Sequence, residues 1–417
     1  MIYLDNAATS CPKPREVVRA VEQALSDVCA NPSRGAYELS LQASRTLLHS
    51  RRAVAGLFGI ADESRVVFTL NATYALNLAL KGILGSSEAF GTGRGAGDGH
   101  AGRTTSGNHR PHVVTSSVEH NAVARPLAAL ESRGVEVTRV HCAPDGTTDP
   151  GDILAAVRPH TRLVALTHAS NVLGTLLPIA EVGPALKEWG VPLLVDSAQT
   201  AGCFPIDVEA MGISLLAISG HKGLLGPQGV GALYIAPGVS LDTLVEGGTG
   251  SRSESLEQPV ECPDRYEAGT RNTPGIAGLA AGIEILAREG VVAIGARQLA
   301  MARRLRERLE EVEGIRLYGP GVDVASAPIV SLAVDGMASA DVAHILDREF
   351  HIAVRAGLHC APEAHRVTGT LETGLVRLSV GHATTWAEID SAIEALTDIA
   401  GKPSEYWLRV WEKMNVR

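Results

Sequence analysis

Three absences narrow the classes to which this chain can belong. Its six cysteines are scattered over 417 residues without a C-x-x-C pair, which argues against a zinc site or a disulfide framework, and we expect no metal. Lys and Arg (37) are fewer than Asp and Glu (46), so no positive excess attracts nucleic acid or an anionic membrane. No apolar run approaches the ~20 residues that span a bilayer, and no signal peptide is evident. We therefore expect a globular cytoplasmic protein.

Hydrophobic patterning over the first two thirds of the chain alternates between strands and helices. The apolar runs predict strands at residues 65–69, 112–116, 135–140, 163–168, 192–196, 215–219 and 230–235. Helical spacing predicts helices at residues 39–58, 72–84, 121–133 and 179–189. Strands that alternate with helices are typical of an α/β fold with a mainly parallel, doubly wound sheet.

The pattern changes after about residue 275. A long helix at 291–313 and short strands at 329–334 and 375–380 indicate a second, smaller α+β domain. The predicted domains are a large α/β domain, residues 16–275, and a small α+β domain formed by residues 1–15 and 276–417.

The Gly-rich polar segment at residues 85–110 has no periodicity, and we predict a flexible insertion in the large domain. It joins a helix end to a strand start, whereas open parallel sheets bind ligands beyond the C-terminal ends of their strands. The insertion should therefore face away from the active site, and deleting residues 87–108 should leave catalysis largely intact.

Two side chains at predicted strand ends carry opposite charge. Asp196 ends the run PLLVD, and Lys222 follows the strand at 215–219 between two glycines. A lysine at this edge can bind a carbonyl cofactor covalently, and a facing carboxylate keeps a pyridine nitrogen protonated. That pairing is what pyridoxal 5′-phosphate (PLP) requires. The structural alternatives are a helix N-cap for Asp196 and an exposed loop lysine for Lys222.

A phosphate subsite is predicted where the first large-domain strand runs into a helix. Ala72 and Thr73 open that helix, whose backbone N–H groups and dipole favour an anion. Ser219 and His221 can add two further donors. Asn71 or Thr73 acting as a plain helix cap explains the same residues equally well.

Two more polar residues follow predicted strands. His120 comes after HVVTSS, where its ring could stack on a flat cofactor and exchange protons near neutral pH. Asn171 ends the run THASN and could bond a ring hydroxyl or the substrate. For His120 a capping role or a buried structural role is the alternative. Four polar strand ends on one side of a sheet are more informative than any one of them.

The second domain contains a loop with a cysteine and a strand with a buried arginine. Arg355 and His359 flank Cys360 in the loop and can bias its thiol towards thiolate, although a buried, inert cysteine is the commoner case. Arg377 lies among apolar neighbours and therefore requires an anionic partner. A substrate carboxylate and a structural salt bridge are both open for Arg377.

Eight stretches in this order resemble the class V aminotransferase superfamily and, within it, the cysteine desulfurases. They are YLDNAATS at 3–10, FTLNAT at 68–73, SSVEHNAV at 116–123, THASNVLG at 167–174, VDSAQTAG at 195–202, SGHKGLLGPQGVG at 219–231, EAGTRNTPG at 267–275 and RAGLHCAP at 355–362. Four features depart from the closest sulfur-mobilising group: Leu358 where a second His is usual, Arg271 where Pro is common, the loop GGTGSRSES at 247–255, and the insertion. The resemblance therefore implies a divergent subfamily with an RAGLHCA loop.

The resemblance implies a homodimeric, PLP-dependent enzyme of fold type I and assigns roles to individual residues. Lys222 carries the cofactor, Asp196 contacts the pyridine nitrogen, and His120 stacks on the ring. The remaining implied contacts are Gln199 and Asn171 near the ring hydroxyl; Ala72, Thr73, Ser219, His221 and the partner subunit's Thr270 on the phosphate; and Arg377, with Arg355 and Asn171, on the substrate carboxylate. Cys360 takes the sulfur-accepting position.

The implied reaction is removal of sulfur from L-cysteine. Lys222 takes the Cα proton, and the Cys360 thiolate attacks the substrate sulfur, which leaves L-alanine and a Cys360 persulfide. An unidentified protein, for example one in iron–sulfur cluster assembly, would accept the sulfur. Three alternatives remain: a selenocysteine lyase acting on L-selenocysteine, another class V PLP enzyme in which Cys360 is incidental, and a catalytically silent scaffold. The relative turnover of L-cysteine and L-selenocysteine tests the first alternative. Product analysis tests the second, and the colour of the bound cofactor tests the third.

Overall fold

The computed structural model describes residues 1–32, 35, 37–85, 110–403 and 405–407. The predicted insertion therefore lies, apart from its two end residues, outside the described residues. The strands are β1 (Ile2–Tyr3), β2 (Val66–Thr69), β3 (His112–Ser116), β4 (Glu136–Val140), β5 (Thr161–Thr167), β6 (Leu193–Asp196), β7 (Leu215–Ser219), β8 (Gly231–Ile235), β9 (Ile315–Tyr318), β10 (Ile329–Val334), β11 (Ile352–Ala353), β12 (Arg355–Gly357) and β13 (Leu375–Ser379).

The helices cover both sheets of this mixed fold. They are α1 (Arg15–Ser26), α2 (Glu38–Leu57), α3 (Ala72–Leu84), α4 (Asn121–Glu131), α5 (Pro150–Ala155), α6 (Ile179–Glu188), α7 (Thr273–Glu289), α8 (Val291–Glu310), α9 (Ser339–Phe350), α10 (Pro362–Val367) and α11 (Trp386–Ala400), with short 3-10 turns at Glu63–Arg65 and Asp264–Tyr266. None of the helices described is both long enough and apolar enough to span a membrane.

The large sheet has seven strands in the order β2-β8-β7-β6-β5-β3-β4. All seven predicted strands are present within two residues of their predicted bounds, and the prediction of a mainly parallel α/β sheet is confirmed. Neighbouring residues on one strand, such as Val113 and Val114 or Leu194 and Val195, pack into different core clusters on opposite faces. Both faces are covered, which explains why these strands read as unbroken apolar runs.

Strand β8 departs from the parallel pattern, because it runs antiparallel to both β2 and β7. Only residues 220–230 connect β7 to β8. A parallel crossover needs about a dozen residues or more, usually including a helix, so this shorter connection returns the chain in the opposite direction. The connection carries Lys222, which is thereby held at the C-terminal end of β7.

The C-terminal part of the chain forms a four-stranded antiparallel sheet in the order β12-β13-β10-β9. Helices α8, α9 and α11 cover it, and α11 begins with a capping box between Thr385 and Glu388. The N-terminal strand β1 pairs with β11, which places the first residues beside this sheet. The predicted domain limits at residues 15 and 275 stay a prediction.

The edge of the large sheet where β3, β5, β6 and β7 end faces the small sheet. Ser331 on β10 donates a hydrogen bond to the Val172 carbonyl, and Asp5 forms a bridge with Ser379 at the end of β13. These contacts bring strand ends of the large sheet, the N-terminal segment and the small sheet around one cavity.

Candidate active site

A cavity of about 210 Å³ lies where the two sheets meet. Most of the predicted site residues line it: Ala72, Thr73, His120, Asn171, Asp196, Gln199, Ser219, His221, Lys222, Arg355 and Arg377. Two predicted residues are outside this lining. Thr270 is exposed away from it, and Cys360 is exposed beside Arg355, whose Nη2 lies 3.5 Å from the cysteine Sγ.

Lys222 and Asp196 follow the neighbouring parallel strands β7 and β6. The loops after these strands pack backbone to backbone, because a Cβ on Gly223 would clash with the Ala201 carbonyl and one on Gly202 would clash with Gly223. Glycine at both positions therefore lets the lysine loop lie against the loop that follows Asp196.

Burial shifts the pKa values of these two groups in opposite directions. It lowers the pKa of Lys222 to about 8, although the charge of Asp196 acts to raise it, and Arg377 and Arg355 lower it further. Burial raises the pKa of Asp196, while the Ala198 amide and the Lys222 ammonium act to lower it. One Asp196 oxygen accepts the Ala198 N–H at 3.0 Å within a turn, and no helix begins between β6 and β7, so the helix N-cap alternative for Asp196 is wrong.

The start of α3 is a candidate anion subsite. Asn71 is the N-cap and accepts the Tyr74 N–H at 2.9 Å, so the capping alternative holds for Asn71 itself. Ser219 is buried on the same wall of the cavity, and the buried Nδ1 of His221 has no hydrogen-bond partner in the described part of the chain. A helix N-terminus with an unpartnered imidazole nitrogen fits a phosphate group.

His120 combines a capping role with a place in the cavity. Its Nδ1 accepts the Ala122 N–H at 3.0 Å at the start of α4, which leaves Nε2 to carry the ring proton. Burial lowers the pKa of His120 to about 4, and the charges of Lys222 and Arg355 lower it further. The ring is therefore neutral near pH 7, with a single donor at Nε2.

The loop that carries Cys360 follows the short strand β12, which Arg355 begins. Both His359 and Cys360 have left-handed backbone conformations, with φ of 51° and 59°. Asn171 Nδ2 donates to the His359 carbonyl at 2.7 Å, and the Asn121 amide donates to the Cys360 carbonyl at 2.8 Å. The large domain thus fixes the loop from two strand ends.

Arg377 has an anionic partner within the chain. Its Nη2 contacts Asp5 Oδ1 at 2.7 Å and its Nη1 donates to the Asn171 carbonyl at 2.9 Å. The guanidinium is 1% exposed, and its Nε lacks a partner among the described residues. The salt-bridge alternative is therefore present in the structure, and Nε remains available to a further acceptor in the cavity.

Sequence reasoning missed Glu119, which directly precedes His120. One oxygen of its buried carboxyl accepts Ser116 Oγ at 2.6 Å and the Thr167 amide at 3.0 Å, which joins the ends of β3 and β5. Burial raises the pKa of Glu119 to about 8, so the group is mainly protonated at pH 7. The signal for Glu119 in the sequence was its position as a polar residue directly before His120, at the end of a predicted strand.

The N-terminal segment was also missed as a support for the site. The His221 carbonyl, one residue before Lys222, accepts from the Ser10 amide at 3.0 Å, from Thr9 Oγ1 at 3.1 Å and from Lys13 Nζ at 2.8 Å. Burial lowers the pKa of Lys13 to about 8. Residues 9–13 therefore hold the peptide that leads into Lys222.

Fold and site together define a class of enzyme. A lysine and a carboxylate at adjacent strand ends, an imidazole and an anion subsite surround one cavity of an α/β sheet, as a site for a phosphorylated carbonyl cofactor requires. No three His, Cys, Asp or Glu side chains within the described ranges are grouped as metal ligands would be.

The family profile described as "Aminotransferase class-V" matches residues 2–96 and 100–391, and the chain belongs to this family, within its cysteine desulfurase group. A probable cysteine desulfurase of Methanothermobacter thermautotrophicus is 36% identical over 405 residues, which cover 96% of this chain and 95% of that relative. The cysteine desulfurase IscS of Methanosarcina thermophila is 30% identical, with coverages of 96% and 92%. The family implies PLP as the cofactor.

Solved structures agree with this assignment. The apo structure of a cysteine desulfurase from Thermococcus onnurineus NA1 matches with a TM-score of 0.86 and 32% identity, over 96% of this chain and 94% of that chain. The predicted PLP fold type I architecture is confirmed by this similarity.

Proposed function

We propose that this enzyme binds PLP, removes sulfur from L-cysteine and carries that sulfur as a persulfide on Cys360. The observation that carries the proposal is the placement of an exposed cysteine beside a cavity that contains Lys222 and Asp196. Arg355 links the two, because it lines the cavity and its Nη2 lies 3.5 Å from the Cys360 Sγ.

The donor set supports PLP as the cofactor. Asp196 would contact the pyridine nitrogen, whose positive charge would lower the pKa of this buried carboxyl. Bound PLP supplies an electron sink that stabilises negative charge on the substrate Cα. The residues proposed to hold it are Ala72, Thr73, His120, Asn171, Asp196, Gln199, Ser219, His221 and Lys222.

Two of these residues also form contacts outside the cofactor site, one with the Cys360 loop and one with the N-terminal segment. Asn171 donates its amide to the His359 carbonyl, and Gln199 Nε2 lies 3.3 Å from the Ala7 carbonyl. The amide oxygens of Asn171 and Gln199 are the atoms left for the ring hydroxyl or the substrate. Cofactor binding is in this way connected to the position of the sulfur-accepting loop.

Lys222 is suited to move the substrate Cα proton. With a pKa lowered to about 8, about a tenth of its amine is neutral near pH 7, far more than for an ordinary lysine, and can accept a proton at Nζ. His120, which is neutral and carries its proton at Nε2, can exchange protons on the same side of the cavity.

The substrate carboxylate would bind to Arg377, with Arg355 and Asn171 nearby. Asp5 and the Asn171 carbonyl already bind the two terminal nitrogens of the Arg377 guanidinium, so Nε is the nitrogen left for a further anion. We therefore assign Asp5 to orientation of Arg377 and the Nε edge to the substrate.

The sulfur step needs no external oxidant. The Cys360 thiolate attacks the substrate sulfur and forms an S–S bond, while the C–S bond breaks and its electron pair stays with the substrate carbon. That carbon then takes a proton, so that cysteine and the Cys360 thiol give alanine and the Cys360 persulfide. An acceptor protein would then remove the sulfur from the exposed Cys360.

A homodimer would complete the phosphate subsite. Thr270 is exposed and does not line the cavity of its own chain, which is consistent with the proposed contact of the partner subunit's Thr270. The cytoplasmic location stays a prediction from the sequence.

Replacing Cys360 by serine tests sulfur transfer separately from PLP binding. Cys360→Ser should abolish formation of alanine from L-cysteine and keep the yellow colour of bound PLP, because Ser lacks the nucleophilic thiolate but leaves the cavity intact. Cys29→Ser, at another exposed cysteine, is the matched control and should retain activity. Full desulfuration by Cys360→Ser would exclude Cys360 as the sulfur acceptor.

A further inference from the structure

The backbone at the proposed sulfur acceptor is strained. His359 and Cys360 are consecutive non-glycine residues with positive φ, an unfavourable conformation that such residues rarely adopt. Such a conformation persists only when surrounding contacts enforce it. The contacts from Asn121 and Asn171 reach the two carbonyl groups, and a separate set of contacts reaches the His359 side chain.

A chain of buried polar side chains runs inward from this loop. His359 Nε2 lies 3.2 Å from the Arg355 carbonyl, and His359 Nδ1 lies 3.5 Å from His365 Nε2. His365 Nδ1 lies 2.8 Å from Thr370 Oγ1, which in turn lies 2.7 Å from Thr368 Oγ1. The two imidazole rings are nearly parallel, with an interplanar angle of 10°.

The Arg355 carbonyl sets the direction of the bond between the two rings. It can only accept, so His359 carries its proton at Nε2 and accepts at Nδ1. A hydrogen bond between the rings then runs from His365 Nε2 to His359 Nδ1, which leaves His365 Nδ1 to accept from the Thr370 hydroxyl.

Both rings are held in the neutral form that this chain requires. His359 is 2% exposed and His365 is fully buried. Burial lowers the pKa of His359 to about 3, helped by the charge of Arg377, and burial also lowers the pKa of His365. A second proton on His359 would set its Nδ1 donor against the His365 Nε2 donor, so the neutral form of His359 and the hydrogen-bond direction support one another.

We propose that His365 is a positioning residue which, by donating to His359 Nδ1, holds the strained turn that places Cys360 beside Arg355. The inference rests on the proposed function only in that Cys360 is taken as the nucleophile. The chain closes the turn between the Arg355 carbonyl and the residue before Cys360, and it thereby keeps the guanidinium 3.5 Å from the thiol sulfur. At that distance the guanidinium can donate a hydrogen bond to the sulfur.

The test compares His365→Phe, which removes both nitrogen atoms, with His365→Gln, which keeps a donor and an acceptor. His49→Gln, at a histidine whose side chain is 64% exposed on α2, is the control. Each PLP-loaded protein is treated with iodoacetamide near neutral pH, and the alkylation rate of the Cys360 peptide is followed by mass spectrometry. PLP absorbance, kcat and KM for L-cysteine are measured on the same samples.

We expect His365→Phe to slow Cys360 alkylation and kcat by about tenfold, the effect of losing one buried hydrogen bond, with PLP absorbance and KM unchanged. His365→Gln should recover most of the rate, and His49→Gln should match the wild type. An alkylation rate in His365→Phe equal to the wild-type rate would overturn the proposal.

Two further outcomes are decisive. If His365→Phe fails to fold, Thr370→Val tests the same series of hydrogen bonds. Loss of one neutral hydrogen bond should slow alkylation of Cys360 about threefold. An unchanged alkylation rate would overturn the positioning role. Wild-type protein that forms no persulfide, but shows the expected order of alkylation rates, would refute the proposed function and leave the positioning role supported.

Discussion

Replacing Glu267 by glutamine should destabilise this protein much more than the same change at a surface glutamate. The Glu267 carboxylate, whose side chain is 1% exposed, accepts Arg51 Nη1 at 2.7 Å, Arg51 Nη2 at 3.0 Å and the Phe68 amide at 2.6 Å, and it also accepts Arg271 Nε. Glutamine would set an NH2 group against these donors and leave the Arg51 charge, 8% exposed, without its counter-ion.

The expected magnitude follows from burial. Removing one partner of a buried ion pair costs about 3–5 kcal/mol, whereas exposed pairs contribute about 0–1 kcal/mol. Glu131 is the matched control, because it pairs with Arg139 at 2.8 Å with side chains 44% and 34% exposed. Glu131→Gln should therefore cost less than about 1 kcal/mol.

Urea unfolding monitored by tryptophan fluorescence would measure both variants under identical conditions. Because Phe68 leads into the anion subsite and Arg271 adjoins Thr270, Glu267→Gln should also weaken PLP binding, measured by absorbance titration. The reasoning is refuted if Glu267→Gln lowers the free energy of unfolding no more than Glu131→Gln does.

Three further predictions concern Lys222 in the cavity and two residues, Glu119 and Gly231, in the structure around it. Since the pKa of Lys222 is lowered from 10.5 to about 8, PLP uptake by cofactor-free protein should accelerate as pH rises through about 8 and then level off; a flat stopped-flow profile would contradict this. Glu119 holds its proton in the folded state up to about pH 8 but loses it near 4.5 when unfolded, so wild-type stability should fall over that interval. Glu119→Gln, which removes this loss, should gain stability over wild type as pH rises, with activity largely kept; pH-dependent urea unfolding checks the trend, and a constant difference would count against it. In Gly231→Ala, the new Cβ would lie 2.7 Å from the Asn71 carbonyl carbon and must displace the start of α3, so PLP affinity should drop in absorbance titrations; unchanged affinity would show that α3 adapts.

The strand ends were predictable from sequence because each is a local signal. An apolar run that stops at Asp196, or that passes into the glycines around Lys222, marks a strand terminus without knowledge of its neighbours. The parallel topology then brings these termini to one edge. The direction of β8 was not inferred from the pattern, although the short connection after β7 determines it.

The supporting contacts were not predictable, because they depend on which distant segments become neighbours. Asp5 and Arg377 are 372 positions apart, and Glu119 joins β3 to β5 only because these strands are adjacent in the sheet. The contacts of His359 with the Arg355 carbonyl and with His365 depend on a left-handed turn that no local propensity specifies. Local patterns therefore located the reacting groups, whereas tertiary packing determined how those groups are oriented.

The central claim is that sulfur from L-cysteine passes to Cys360. Incubating the PLP-loaded protein with L-cysteine, without reductant, and measuring the mass of the Cys360 peptide tests it most directly. The account predicts one additional sulfur atom on Cys360 together with L-alanine as the product. Alanine or a keto acid formed while the Cys360 peptide keeps its original mass would contradict it.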